Sequence, residues 1–248
     1  MQKKIILITG ASRGIGASIA ELAGSKDYFV VVNYAKNISE ANNVVAKIKA
    51  AGGDGCAIQA DCGIEADIVR LFKEVDKLGK LDTVVANAGI VGGEVHITEV
   101  STAQLSEVFG INVIGLMLTT REAVKRMSTK LGGTGGKIIL MSSAASRTGG
   151  IAKETHYAAS KGAVDSFTLA LAKEVGMDGI RVAALRPGLI RTEIHNAHGG
   201  IPVIEKWASG VPLGRVGTPS EVAQTVMWLC SDDASYIHGA LIDVSGGR

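Results

Sequence analysis

Tyr157 and Lys161 stand four residues apart in Thr155–Val175, a segment with a helical pattern. At about 1.5 Å of rise per residue, that spacing is slightly more than one turn, so both side chains share a face. A phenol beside an ammonium suits proton exchange with a substrate oxygen. Tyrosine titrates near ~10, so a phenol working near neutrality needs its anion stabilised by roughly 3–4 kcal/mol. An ammonium one turn away supplies Coulomb attraction in that direction. Ser143 closes the apolar run before this helix, and Asn112 lies in the preceding long helical pattern, Thr102–Ser128.

A second group is suited to an anion. Thr9-Gly10-Ala11-Ser12-Arg13-Gly14-Ile15-Gly16 follows the first apolar run and opens the first helical one. A strand-to-helix turn of this kind brings backbone N–H groups and a helix N-terminus to a pyrophosphate. Glycine allows the tight turn and the close approach, where a Cβ would push the phosphate away.

These residues need elements to hold them. Apolar runs at Lys4–Thr9, Phe29–Asn33, Gly55–Ala60, Thr83–Ala86, Lys137–Ser142, Ile180–Leu185 and Ala240–Val244 read as strands buried on both faces. Helical patterns at Ile15–Gly24, Ser39–Ala51, Ile64–Leu78, Thr102–Ser128, Thr155–Val175 and Pro219–Ser231 alternate with them. In the second, Ala41, Val44, Val45 and Ile48 form the stripe, with Ser39 as N-cap and Gly52-Gly53 as the stop. The alternation predicts an α/β fold, a doubly wound Rossmann-type domain with a parallel seven-stranded sheet and helices on both faces. With no composition break and no internal repeat, residues 1–248 read as one domain. Leu189 to about Gly217 is the one long irregular stretch, and a loop of that length is usually functional.

Composition removes other classes. Of 248 residues, 32 are glycine, nearly twice the usual ~7%, yet only 4 are proline and no Gly-X-Y period exists. With 46% hydrophobic and 20% charged residues, disorder is excluded. A net charge of +2, evenly spread, argues against nucleic acid or a membrane as the main partner. Cys56, Cys62 and Cys230 form no CxxC pair, and no signal-peptide pattern follows Met1-Gln2-Lys3-Lys4, so a cytoplasmic location is expected. Cys62 and Cys230 read as small buried hydrophobes.

Thr9–Gly16 resembles the cofactor motif of the classical short-chain dehydrogenase/reductase family. Asn87-Ala88-Gly89, Asn112, Ser143, Tyr157-x-x-x-Lys161 and Pro187-Gly188 match the rest of its pattern in order, across essentially the whole chain. The resemblance extends to the glucose/ribitol-dehydrogenase-like and 3-oxoacyl-carrier-protein-reductase-like subgroups. It implies hydride transfer between a nicotinamide and a carbonyl or alcohol, with Tyr157 as acid/base and Lys161 on the nicotinamide ribose. By the same resemblance Ser143 holds the substrate oxygen, and Asn112 ties Lys161 to a proton-resupplying water chain. Asp61 and Cys62 would flank the adenine, Pro187-Gly188 and Ile190 would pack on the nicotinamide, and Thr192 would bond the carboxamide or pyrophosphate. Ser143 precedes Tyr157 by 14 residues, one more than the commonest family spacing. That spacing would select Ala144, which lacks a hydroxyl; Ser142 is the other candidate, and Ser143 is preferred because it aligns with the family's serine.

Cofactor choice should be set after the second strand, where an acid would bond the ribose 2′-OH of NAD. Asn33 and Tyr34 stand there with Lys36 nearby, and Arg13 lies in the glycine turn, so NADP(H) is expected. The segment 189–217 is expected to be a substrate lid, with Ile201 and Trp207 as apolar lining. His195 and His198 have metal-like spacing but no further ligand, so no metal is expected, and His156 is expected to be exposed. Family precedent implies a homotetramer, with a dimer as runner-up, built on the final strand and the two long helices. The partner expected is a small carbonyl or alcohol substrate. The rival enzyme is a 3-oxoacyl-carrier-protein reductase, which would need a basic landing patch such as Arg121, Lys125, Arg126 and Lys130. The rival outside enzymes is a non-catalytic dinucleotide sensor, against which Tyr157 and Lys161 both weigh.

Overall fold

The structure, a computed structural model, describes residues 3–194 and 200–248. Seven strands form one parallel sheet in the order β3-β2-β1-β4-β5-β6-β7: β1 Lys4–Ile8, β2 Tyr28–Tyr34, β3 Asp54–Gln59, β4 Leu81–Ala86, β5 Gly136–Met141, β6 Ile180–Pro187 and β7 Ala240–Val244. Order reverses between β1 and β4, which makes the crevice beyond their carboxyl ends the expected ligand site.

Alternate residues of each central strand feed opposite cores. Ile6, Ile8, Val30, Val32, Val85 and Ile139 pack beneath α1 (Gly14–Gly24), α2 (Ile38–Ala50) and α9 (Pro219–Cys230). Ile5, Leu7, Val31, Val84, Ile138 and Leu140 pack beneath α3 (Glu65–Asp76), α5 (Leu116–Met127) and α7 (Thr155–Val175). Burial on both faces explains why these strands are apolar nearly throughout rather than alternating.

Several boundaries differ from the sequence expectation. Helix α2 begins at Ile38, and its N-cap is Asn37, whose side chain accepts from the Glu40 N–H at 3.2 Å; Ser39 lies inside the helix. An Asn side chain placed one residue before the helix caps as well as serine, so both were competent. The run Thr102–Ser128 is helical to Met127 but not uniform. It comprises α4 (Thr102–Phe109), a π-helical turn Gly110–Gly115, and α5. It is long and apolar enough to cross a membrane, but Val108, Leu116, Ala123 and Met127 are buried within the domain. The stretch expected to be irregular from 189 carries α8 (Ile201–Lys206) and a tight Trp207–Gly210 turn; the short α6 (Ala145–Thr148) precedes α7.

The π turn has a packing cause nearby. At Gly115 an added Cβ would sit 1.9 Å from the Cys62 carbonyl oxygen, so the helix presses its backbone onto the β3–α3 connection. Gly115→Ala is expected to cost about 1–3 kcal/mol through overpacking. Thermal unfolding of the variant should show a correspondingly lower Tm; an unchanged Tm would contradict the close contact.

Candidate active site

A cleft of about 840 Å³ opens at the carboxyl ends of the strands. Its floor is fixed by a clasp between β1 and β4. The Thr9 hydroxyl accepts from the Asn87 and Ala88 N–H groups, each at 3.0 Å, while Asn87 Nδ2 donates to the Thr9 and Gly10 carbonyls at 2.9 and 3.1 Å. The glycine turn lies on this clasp so closely that a Cβ on Gly16 would come 2.5 Å from the Gly10 oxygen and 2.6 Å from Asn87 Nδ2. No side chain caps α1, and its first turn carries no acid, so its leading N–H groups face the cleft uncompensated. That cradle fits a pyrophosphate.

The opposite wall holds the reactive group. Tyr157 and Ser143 line the same wall, with the Ser143 hydroxyl near enough to act on the phenol. Ser143 Oγ also accepts from the Ala145 N–H at 3.1 Å. Ser142 instead is buried, its hydroxyl donating to the Lys161 carbonyl at 3.2 Å. Lys161 Nζ donates to the Met141 carbonyl at 2.8 Å and lies 5.7 Å from the Tyr157 ring centroid. Strand end and helix thus hold each other twice. Gly89 comes close to the same ammonium: a Cβ there would be 3.4 Å from Lys161 Nζ and 3.2 Å from Asn112 Oδ1.

The protein's own groups do not lower the phenol. Burial pushes the Tyr157 phenol up to about 12, against a smaller opposing effect of the Ser143 hydrogen bond. Burial also brings Lys161 down to about 8, opposed by the charge of Asp165. Desolvation outweighs the Coulomb attraction that sequence spacing suggested, because the ammonium is itself deeply buried.

Every expected cofactor residue lines the cleft: Gly10, Ser12, Arg13, Gly14, Ile15, Gly16, Asn33, Tyr34, Asp61, Cys62, Asn87, Ala88, Gly89, Tyr157, Lys161, Pro187, Gly188, Ile190 and Thr192, together with Ser143. Asn112 is the exception. It is buried in the π turn, where Oδ1 accepts from the Ile90 N–H at 2.9 Å and Nδ2 donates to the Ile90 carbonyl and Ser160 Oγ at 2.8 and 3.0 Å. Asn33 lines the cleft with its amide already engaged: Nδ2 donates to the Ile58 and Ala60 carbonyls, and Oδ1 accepts from the Gly10 N–H and the Cys62 thiol. Asp61 Oδ1 accepts from the Gly63 N–H at 2.8 Å. Cys62 and Cys230 are buried, and burial raises both thiols to about 12.

Arg13 has two carboxylates nearby. Its guanidinium lies 3.9 Å from Glu40 and 3.7 Å from Glu193, with the side chain 62% exposed. Glu40 reaches it from the first turn of α2 and Glu193 from the segment after β6, neighbours that only the folded chain brings together. His156 is buried rather than exposed, its Nε2 facing Gly92, and neither ring nitrogen has a hydrogen-bond partner. Ile201 and Trp207 do not line the cleft. Trp207 packs with Leu189, Val211 and Val216 where α8 tightens into the next turn, and Ile201 is exposed. His195 and His198 lie outside the described residues; among the described residues no group of three or more His, Cys, Asp or Glu is gathered for a metal.

A family model described as enoyl-(acyl carrier protein) reductase matches residues 10–248. The chain is 40% identical over 258 residues to versicolorin reductase 1 of Aspergillus parasiticus, covering 98% of this chain and 95% of that one. It is 42% identical over 245 residues to the oxidoreductase YgfF of Escherichia coli, covering 98% and 99%. A solved short-chain dehydrogenase/reductase from Serratia marcescens superposes with a TM-score of 0.91 at 29% identity, covering 99% and 98%. The chain belongs to the short-chain dehydrogenase/reductase family.

In this short-chain dehydrogenase/reductase, the cations that sequence offered as a landing patch are taken up internally. Arg121 pairs with Glu65 and Glu122, Lys125 with Glu122, Arg126 with Asp76 and Glu122, and Lys130 with Asp178. Ile90, Gly92, Ile111, Glu154 and Arg248 also line the cleft and were not among the sequence candidates. The neighbours of Asn87-Ala88-Gly89 were accessible from the motif; Arg248 had no local signal.

The buried ammonium has a measurable consequence. Lys161 sits at about 8 in the folded chain against an ordinary 10.5. The penalty for keeping it charged is therefore full below about pH 8. Between about 8 and 10.5 the folded chain is already neutral while the unfolded chain still binds the proton, and the penalty is relieved. Stability relative to Lys161→Met should accordingly rise with pH across that window. Parallel Tm curves for the two proteins would contradict it.

Proposed function

We propose that the protein is an NADP(H)-dependent carbonyl reductase in which Tyr157 is the proton donor. The observation that carries this is the meeting of the Tyr157 phenol, the Ser143 hydroxyl and the Lys161 ammonium on one cleft wall, facing an uncapped glycine turn. Relatives with carbonyl-reducing names, versicolorin reductase and, at 35% identity, tetrahydroxynaphthalene reductase of Pyricularia oryzae, support the same direction.

A nicotinamide cofactor, when bound, supplies the hydride or takes it back. The chain does the rest. Ser143, oriented by the Ala145 N–H, donates to the substrate carbonyl oxygen and polarises it. Tyr157 passes its proton to that oxygen as the carbon is reduced. A phenol raised to about 12 is protonated at neutral pH, the state a donor requires. Lys161, still largely charged at neutrality, stands 5.7 Å from the ring to stabilise the phenolate left behind. Asn112 acts at one remove by fixing the Ile90 main chain.

NADPH over NADH is the finer reading. Arg13 and Lys36 line the cleft beside the end of β2, where no acid stands in the position that would bond a 2′-hydroxyl. The ion pairs of Arg13 to Glu40 and Glu193 are long and solvent-exposed, contacts worth about 0–1 kcal/mol, which a phosphate dianion would displace. A cytoplasmic homotetramer, or a dimer, is part of the same reading. Its support is the apolar exposure of Leu105, Ile114 and Leu169 on the two long helices and of Trp228 and Tyr236 elsewhere. The carrier-protein reductase remains the second reading: Arg121, Lys125, Arg126 and Lys130 each have an acidic partner, but the Lys125 and Lys130 side chains stay more than half exposed.

Following NADPH oxidation across sugars, aliphatic ketones, aromatic diketones and acyl thioesters should reveal ketone or aldehyde reduction. Tyr157→Phe should cut that rate about 10²–10⁴-fold while NADPH binding persists; retained turnover would disprove the proton-donor role. Activity with acyl thioesters alone would favour the carrier-protein reductase. In binding titrations, Arg13→Ala should weaken NADPH about tenfold or more and leave NADH unchanged, a loss of ~1.5–3 kcal/mol for one charge-assisted contact. Equal affinity of the wild type for both cofactors would sink the selectivity.

A further inference from the structure

Beside the catalytic cleft lies a second, open recess of about 540 Å³. Gly150, Ile151 and Arg248 line both, so the two are continuous on the side of the cleft that holds Ser143 and Tyr157. The recess is walled further by Lys206, Trp207 and Ser209. Two of its lining residues are cations, and none is an Asp or Glu.

The charges there are unspent. Arg191 and Arg215 nearby in sequence are each paired with a glutamate, Glu205 and Glu221. No ion pair among the described residues engages Lys206 or Arg248. Arg248 is nevertheless held in place by its main chain: its carbonyl accepts from Arg147 Nη2 and from Ser245 Oγ, each at 2.8 Å, and its N–H donates to the Ser245 carbonyl at 3.4 Å. Arg147 in turn lies 3.7 Å from Asp243, in β7. The main chain of Arg248 is thus fixed at the edge of the recess, and among the described residues neither its side chain nor Lys206 has an acidic side chain paired with it, which suits an anionic oxygen group.

We propose that the recess is the subsite for an anionic group on the substrate, a carboxylate or phosphate, and that the substrate is a carbonyl compound carrying such a group away from its reacting carbon. This rests on the reading of the cleft as a carbonyl reductase site. Lys206 and Arg248 bind the anion, Trp207 and Ile151 flank the connecting body of the molecule, and the carbonyl reaches Ser143 and Tyr157. Neither cation touches the reacting atoms, so they set specificity rather than rate. The recess also gives the segment after β6 a task different from apolar lining: it brings Lys206 to the mouth of the cleft.

The test compares para-acetylbenzoate with its methyl ester, two aromatic ketones differing in one charge. Titration calorimetry on the NADPH-loaded protein should show the acid binding about tenfold or more tighter than the ester, with the preference eroded by added salt. Lys206→Gln/Arg248→Gln should abolish the preference while leaving ester binding unchanged. Para-acetylbenzyl phosphate, run in parallel, separates phosphate from carboxylate as the favoured source of the anion. Equal binding of acid and ester to the wild type, or a preference that survives in the double variant, would overturn the proposal. Binding preference without turnover of any ketone would leave the subsite standing and overturn the reductase reading; turnover with no charge preference would do the reverse.

Discussion

Where β1 and β4 part, the sheet has no next strand to satisfy the backbone that emerges. The Thr9–Asn87 clasp meets that need with side chains, binding both strand ends to each other and to the first carbonyl of the glycine turn. Asn33 performs the same task one strand over, joining β2, the approach from β3 and the Gly10 N–H. With the polar demands of these strand ends met internally, the helix N-terminus above the crevice is left to receive an anion. Everything on the cofactor side of the cleft depends on that arrangement.

On the other side the governing effect is desolvation. The Tyr157 phenol is kept neutral and Lys161 is eased toward neutrality by the same buried surroundings. Their relation is poised for a change of charge rather than preset by one. Asp165, one turn beyond Lys161, opposes part of the shift and is itself 3.5 Å from Arg186, so the ammonium is tied into a charge chain that runs to Asp243 in β7.

Much of this was legible from residue order. Doubly buried strands announce themselves as unbroken apolar runs, and the glycine turn, Ser143, Tyr157 and Lys161 come together where spacing and family resemblance implied. Other features depend on distant contacts that periodicity does not encode. The π turn around Asn112 arises where the helix backbone presses on the Cys62 carbonyl, and a helical pattern reads the same with or without it. Asn33 has a polar side chain at a cofactor position, yet its amide belongs to the scaffold. Trp207, expected as apolar lining, packs on Leu189, Val211 and Val216 and lines the adjoining recess rather than the main cleft. Arg248 lies 91 residues from Tyr157 in the chain and is held at the cleft by main-chain bonds to Arg147 and Ser245.

The double tether between the end of β5 and α7, Lys161 Nζ to the Met141 carbonyl and Ser142 Oγ to the Lys161 carbonyl, has a consequence for how such a scaffold diversifies. Strand and helix cannot slide past one another without breaking both bonds, so the spacing of the reactive groups is insulated from whatever happens in the loops around them. The stretch between Ser143 and Tyr157 includes α6 and a turn in which Lys153 takes a left-handed conformation, and it lies outside both bonds of the tether. The loops are thereby free to drift, and one fixed reaction can be offered to a succession of new molecules.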